Sequence, residues 1–319
     1  MWGADFRAKQ RAGKPAGSRV AGPRRYNRST VPAVHSQKKP QRNNYILVVF
    51  DSCRYDSFVS ARPRVMRRLG RVEKRFSYAS WTAPSHFNLL MGLMPHVSPK
   101  HVFASEYYKR DFLQFNARLG CSDFEFKSLV PRLYLPPFLK DQLGYATHAR
   151  VSLPVLNPKT PINVGFDSFR LMESHNDMRA MVRELHFSEE RPSFWLLNIG
   201  ETHYPYALPD EPRDQWPVLH GVHGVFKHLD DHVVGGKLDH RRQRFFNQKK
   251  LDELRARQVA AVKYLDGVVE ELFDLVPKNT YITITSDHGE LFGEEGYFGH
   301  GPILHDKVLE VPFVEGQLR

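Results

Sequence analysis

The chain has 319 residues, 41% of them hydrophobic and 12% aromatic, enough to bury a sizeable core in one large domain or two modest ones. No run of about 18 apolar residues exists, so no transmembrane helix is expected, and the charged N-terminus lacks the apolar stretch of a secretory signal, which makes the cytoplasm the default location. The net charge of +11 is uneven: residues 1–43 hold eleven Lys/Arg against Asp5 alone and carry +10, leaving +1 for residues 44–319.

Residues 1–43 are also rich in Pro, Gly and Ser, and are expected to form a disordered basic tail ahead of one domain at 44–319. A solvated extension, an organelle transit peptide, and an electrostatic tether to nucleic acid, a membrane or an acidic partner protein all suit its charge. The two cysteines, Cys53 and Cys121, have no CxxC partner, so no zinc knuckle or disulfide framework is implied. Two thiols in a chain this long suit a reducing compartment.

Tyr45 to Phe50 is a continuous apolar run ending at Asp51, the pattern of a buried parallel strand. Residues 56–70 follow with a mixed, basic helical pattern. Pro84 to Met91 predicts a short helix, with Pro84 suited to a first turn. Gly144 to Val151 predicts a strand and Met172 to His186 a helix. Phe194 to Ile199 is another buried strand, opening onto Gly200-Glu201-Thr202-His203. Residues 207–247 are rich in His, Asp, Arg and Gly and predict a long excursion, a lid or substrate loop. A helix is expected from Leu251 to Val276, with Val262, Leu265, Val269, Leu272 and Val276 on one face. Tyr281 to Thr285 is a β-rich strand ending at Ser286-Asp287-His288-Gly289, and Val311 to Val314 a short last strand. Alternating strands and amphipathic helices give an α/β fold with a mainly parallel central sheet flanked by helices.

Three buried strands thus end in polar clusters: Asp51, Glu201 with His203, and Asp287 with His288. Ligands of open α/β sheets bind outside the carboxyl ends of the strands, so these residues can converge although distant in sequence. Asp51, Asp287 and His288 form a plausible carboxylate and imidazole metal set. Thr82 lies just ahead of a helix start, where backbone N–H groups and the helix dipole favour a phosphate or sulfate oxygen. A divalent cation would acidify its hydroxyl into a usable nucleophile. An ordinary helix cap is the alternative for a Thr at this place. The histidines at 220, 223, 228, 232 and 240 lack regular ligand spacing and read as a solvated loop.

The ordered set of motifs resembles the alkaline phosphatase/sulfatase superfamily over roughly residues 44–315. Tyr45–Asp56 is similar to its first metal-binding strand. Thr82-Ala83-Pro84-Ser85-His86, followed by Phe87 to Gly92, resembles the sulfatase nucleophile motif Cys-x-Pro-Ser-Arg and its Leu-Leu-Thr-Gly tail. Thr202 to Tyr206 resembles the His-x-Pro-Tyr turn, and Ser286 to Glu290 the second metal motif. His300 matches an active-site histidine of the phosphoethanolamine-transferase branch, and Asp306 to Pro312 resembles the return to the sheet. The resemblance implies an alkaline-phosphatase-like fold, with the C-terminal subdomain reduced or absent since the chain stops soon after Val314.

The departures are informative. Thr82 replaces the cysteine that sulfatases convert to formylglycine, and neither cysteine sits in a conversion motif, so the implied chemistry is that of a threonine nucleophile attacking a phosphate or phosphonate ester. His86 replaces the motif arginine. The Asp-x-x-x-His motif of the two-metal branch is absent, which implies one divalent ion: Zn or Mn, with Ca or Mg as the alternatives, held by Asp51, Thr82, Asp287 and His288. His203 and His300 are expected to bind the transferred group or protonate the leaving oxygen. His86 and Glu201 are expected to contact substrate, Glu290 to hold a metal-site side chain, and Arg54 with Asp56 to tie the first strand to its helix. The reaction expected is hydrolysis or transfer on a small phosphate ester. The rivals are sulfate-ester hydrolysis by Thr82 without formylglycine and a binding protein that kept the fold without turnover.

Overall fold

The computed structural model describes residues 42–97, 113–124, 134–219, 247–301 and 303–318. The basic tail (apart from residues 42 and 43), the five histidines of the 220–240 tract and most of the 207–247 excursion lie outside them. A seven-stranded sheet forms the frame, in the order β2 (Glu73–Phe76), β9 (Glu310–Gln317), β6 (Thr280–Ser286), β1 (Asn44–Phe50), β5 (Ser193–Ile199), β3 (Ala146–Val151), β4 (Ser168–Leu171). The five strands from β6 to β4 are mutually parallel, β9 runs antiparallel between β6 and β2, and β7 (Leu291–Phe292) pairs with β8 (Phe298–Gly299) as a separate antiparallel hairpin.

Side-chain alternation along β1 explains why the run is apolar at every position. Ile46, Val48 and Phe50 enter a core with Phe58 of α1 (Tyr55–Ala61) and with Val262, Leu265, Val269 and Leu272 of the long helix α5 (Gln248–Leu275). Tyr45, Leu47 and Val49 enter the opposite core, with Leu89 and Leu90 of α2 (Thr82–Leu90), Phe138 and Leu139 of α3 (Leu135–Leu143), and Phe115 and Leu119. Each fully buried Val, Leu, Ile or Phe contributes about 1.5–3 kcal/mol, so a strand buried on both faces is strongly specified.

Several expected boundaries move, for local reasons. The helix expected over 56–70 stops at Ala61: Arg62 turns left-handed (φ 53°) and Pro63 disfavours a helical residue before it. The chain over 64–66 is held instead by Asp266 of α5, which accepts three backbone N–H bonds. The strand expected from Gly144 starts at Ala146, because Gly144 (φ 76°) closes α3. The Met172–His186 helix contracts to α4 (Met178–Arg183), capped by Asp177, whose side chain accepts from Ala180 N. The last strand is longer than Val311–Val314, spanning all of β9.

Candidate metal and nucleophile centre

Register places the centre. β1 pairs with β5 and β6 such that Phe50 lies level with Ile199 on one side and Ser286 on the other. The next residues, Asp51, Gly200 and Asp287, therefore leave adjacent strands at the same height, with neighbouring strands about 4.8 Å apart. Asp51, Asp287 and His288 are buried, and one ligand atom from each falls within 4.8 Å of the others. Asp287 Oδ1 accepts from the backbone N–H of Ser52 (3.0 Å) and of His288 (2.9 Å). Its other oxygen is buried, lies 3.3 Å from His288 Nε2 and receives no hydrogen bond. His288 Nδ1–H donates to Gly289 O (2.8 Å), which leaves Nε2 with a free lone pair.

Thr82 enters from outside the parallel strands. It is the first residue of α2, behind Trp81 with its extended backbone, and its Oγ1 lies 3.4 Å from Asp51 Oδ1 and 3.3 Å from His288 Nε2. The turn leading to it is pinned to the second ligand strand, since Ser77 Oγ donates to Asp287 O at 2.5 Å. The structure therefore brings together the four residues expected to hold a metal. Two carboxylates, a neutral imidazole nitrogen and a hydroxyl, with one carboxylate oxygen buried and unpartnered, fit a divalent cation.

Electrostatics points the same way. Burial and the charge of Asp51 push Asp287 well above the usual carboxylate range. For Asp51, burial works upward, but His203, His288, His86 and the Asn198 amide outweigh it and bring it below. Burial, reinforced by the neighbouring His300, drives His288 well below the ordinary imidazole value, so it is neutral and able to ligate.

The other histidines flank this set. The His300 ring lies 4.3 Å from that of His288 and 5.4 Å from that of His203. His300 Nδ1–H donates to Glu290 Oε1 (3.3 Å), whose second oxygen accepts a hydrogen bond from Tyr206. Burial lowers His300, but the Glu290 bond and charge outweigh it, and its pKa is raised. His203 Nδ1–H donates to Tyr204 O (2.8 Å). Both side chains are thus anchored through Nδ1, with Nε2 left for chemistry.

His86 and Glu201, expected to contact substrate, are placed differently. His86 is fully buried; its Nδ1–H donates to Thr82 O one turn earlier (2.9 Å) and lies 3.7 Å from Asp287 Oδ2. Glu201 accepts the backbone N–H of Met178 at the start of α4 (2.8 Å), and its other oxygen is buried without a hydrogen bond. Burial raises it to about 7. Arg54 does bind Asp56, through two bonds of 2.8 and 2.6 Å, and also reaches Glu294 (2.6 Å) and Glu290 O (3.3 Å).

Two contributors escaped the sequence reading. Asn198 of β5 donates to Asp51 Oδ2 (2.9 Å) while its Oδ1 accepts from Ser152 N and Leu153 N. Gln258 of α5 is the other. An Asn inside an apolar strand and a Gln on an apolar helix stripe are signals in themselves, because a buried amide must find partners.

A mostly parallel α/β sheet with a carboxylate and imidazole cluster at its central strand ends, faced by a hydroxyl on a helix N-terminus, defines the alkaline-phosphatase-like class. The sulfatase family model matches residues 43–314, and the chain belongs to that family, within the alkaline phosphatase/sulfatase superfamily. Among curated proteins it is similar to the low-salt glycan biosynthesis sulfotransferase Agl7 of Haloferax volcanii, 27% identical over 284 residues, covering 84% of this chain and 53% of the relative. The chain therefore spans about half the length of that relative. Solved structures similar to it include the C-terminal periplasmic domain of the phosphoethanolamine transferase EptC from Campylobacter jejuni, 14% identical with a TM-score of 0.46, covering 86% of this chain and 79% of that one. Another is a putative sulfatase from Bacteroides thetaiotaomicron, 13% identical with a TM-score of 0.49, covering 87% and 65%. Among the described residues, no helix is long and apolar enough to cross a membrane.

Proposed function

We propose that this chain is a metal-dependent hydrolase or group transferase acting on a small phosphate or phosphonate ester through a covalent intermediate on Thr82. The carrying observation is the position of Thr82 Oγ1, within 3.4 Å of both Asp51 and His288 at the first turn of α2. Asp51, Asp287, His288 and Thr82 would hold one divalent cation. The imidazole among the donors favours Zn or Mn over Ca or Mg. Bound there, such an ion supplies positive charge that acidifies the Thr82 hydroxyl and offsets charge on the ester oxygens.

The chain's own residues account for the remaining steps. Thr82 Oγ1, its proton released to solvent water, forms the bond to phosphorus as the bond to the ester oxygen breaks, in line with the helix N-terminus, whose N–H groups favour the anion. His300, held through Nδ1 by Glu290, carries a proton at Nε2 for the departing oxygen, and His203 stands beside it as the alternative donor. Water or an acceptor hydroxyl then attacks the phosphothreonine and restores Thr82.

Sulfuryl transfer is the second reading, favoured by the family match and by the sulfotransferase relative. Here it would proceed on Thr82 without formylglycine. Metal-loaded protein incubated with radiolabelled phosphate mono- and diesters and with sulfate esters, quenched and mapped, tests both. Phosphorus label on the Thr82 peptide supports the first reading, and sulfur label on it the second. Turnover with neither label, or undiminished turnover by Thr82→Ala, rejects the covalent mechanism.

A further inference from the structure

Gln258 interrupts the core-facing stripe of α5. Leu254, Ala261, Val262 and Leu265, at neighbouring positions on the same face, are apolar and buried, yet Gln258 is fully buried among them. A buried amide is tolerated when hydrogen-bonded, and this one is engaged at both ends. Its Nε2 donates to Ser52 O (2.9 Å) and Thr202 O (3.0 Å), and its Oε1 accepts from Arg54 N (3.4 Å). One side chain thereby joins the turn after β1 to the turn after β5, which Thr202 already laces together by donating to Asp51 O (2.7 Å).

Ser52 is the residue that gives this contact consequence. Its backbone is left-handed (φ 60°), a conformation that a non-glycine residue keeps only when its surroundings hold it. In that conformation its N–H meets Asp287 Oδ1 (3.0 Å), and its Oγ lies 3.1 Å from Asp51 Oδ1 and 3.4 Å from His300 Nδ1. Ser52 therefore touches both carboxylates of the cluster, and the carbonyl of the same residue is the group that Gln258 holds.

We infer that Gln258 is a positioning residue of the metal centre: by holding the Ser52 carbonyl it keeps the Ser52 backbone in the conformation that orients Asp287 and Asp51 towards a shared cation. This rests on the assignment of Asp51, Asp287 and His288 as metal ligands proposed above. Residues that orient metal ligands typically set affinity within about 10- to 100-fold.

The test compares the full-length chain with Gln258→Met, which keeps length and packing but cannot hydrogen-bond, and with Gln258→Glu, whose carboxyl can donate to at most one of the two carbonyls. Leu265→Ala, on the same apolar stripe, is the control for plain destabilisation. Zn²⁺ affinity is measured by calorimetry, ligand geometry by the visible absorption of the Co²⁺-loaded protein, and stability by thermal unfolding. The expected result is a loss of Zn²⁺ affinity of about 10- to 100-fold and an altered Co²⁺ spectrum in both Gln258 variants, with Leu265→Ala unchanged in both readouts despite its lower Tm. Wild-type affinity and spectrum in Gln258→Glu, or equal losses in Leu265→Ala, overturn the inference while leaving the metal centre intact. If the unaltered chain binds neither ion, the metal assignment fails and this inference falls with it. Should Gln258→Met not fold, Gln258→Glu alone decides.

Discussion

Asp287→Asn is expected to stabilise the metal-free protein while abolishing its response to metal. Asp51 and Asp287 are buried side by side; Asp51 is held ionised, and burial together with its charge pushes Asp287 well up. Without a cation, Asp287 holds its proton to higher pH than an ordinary carboxyl does. Each pH unit by which burial raises a carboxyl costs about 1.36 kcal/mol of folding free energy once the pH exceeds the raised value. The sign follows from the raised value: the folded state binds this proton more tightly than the unfolded chain, so the contribution is complete below 3.8 and is lost as pH rises towards the folded value. Asparagine keeps the shape of the protonated acid, and its Oδ1 can still accept from Ser52 N and His288 N. At pH 7 without metal, the variant should exceed the wild type by about 1–3 kcal/mol, roughly 2–4 °C in Tm per kcal/mol. Metal at a hundred times its Kd should return about 2.7 kcal/mol to the wild type and nothing to the variant. Thermal unfolding from pH 5 to 8, in chelator and in saturating Zn²⁺ or Mn²⁺, reads both effects. A metal-free variant less stable than the wild type at pH 7, or one still stabilised by metal as the wild type is, refutes the reasoning.

Thr82→Ala should lower kcat by about a thousandfold or more while leaving Tm within a few degrees, and Thr82→Ser should retain measurable turnover; steady-state kinetics with thermal unfolding checks this. Glu290→Gln removes the carboxylate that raises His300, so the His300 titration should move to lower pH, as should the high-pH limb of kcat; NMR of the imidazole follows the first and pH-rate profiles the second. Because His300 is raised in the folded state, its contribution to stability is present below about 6.5 and lost as pH rises through the folded value, and the Gln variant should lack that dependence. Arg54→Met strips a buried guanidinium from Asp56, Glu294 and Glu290 O, and should cost about 2–3 kcal/mol in denaturant unfolding, allowing for the partial exposure of both acids.

The parallel core was legible because strands buried on both faces leave continuous apolar runs: β1, β5 and β6 each end at the polar residues that form the centre. The edges were not. β2 reads Glu-Lys-Arg-Phe and is a strand because it pairs with β9, with Lys74 bonded to Glu310, a contact between segments more than two hundred residues apart. β4 and the short Leu291–Phe292 and Phe298–Gly299 hairpin depend in the same way on partners that no local pattern names. In the site, Asp51, Thr82, Asp287 and His288 were readable as residues adjoining strong local signals. The bond from Met178 N to Glu201 was not, because that N–H belongs to a helix whose start the periodicity misplaced.

The centre also explains why the candidate ligands come from the ends of β1 and β6 while β5 supplies supporting residues. Strand ends one neighbour apart are about 4.8 Å apart, close enough for two carboxylates and an imidazole to meet; ends two neighbours apart are not. β1 lies between β6 and β5, so Asp51 can share an ion with residues of either neighbour. The β6 side presents Asp287 and His288, whereas the β5 side presents Asn198, whose amide donates to Asp51 Oδ2 and leaves Oδ1 beside Thr82. A slip of one residue in the β1–β6 pairing would send Asp287 to the opposite face and separate the carboxylates. The identical register from Asn44↔Thr280 to Phe50↔Ser286, with apolar or hydrogen-bonded side chains committed to both cores, opposes that slip at every step. Stability of the sheet and geometry of the centre are therefore one constraint: the packing that fixes the strands also fixes the distance between Asp51 and Asp287 on which a cation, and the use of Thr82, would depend.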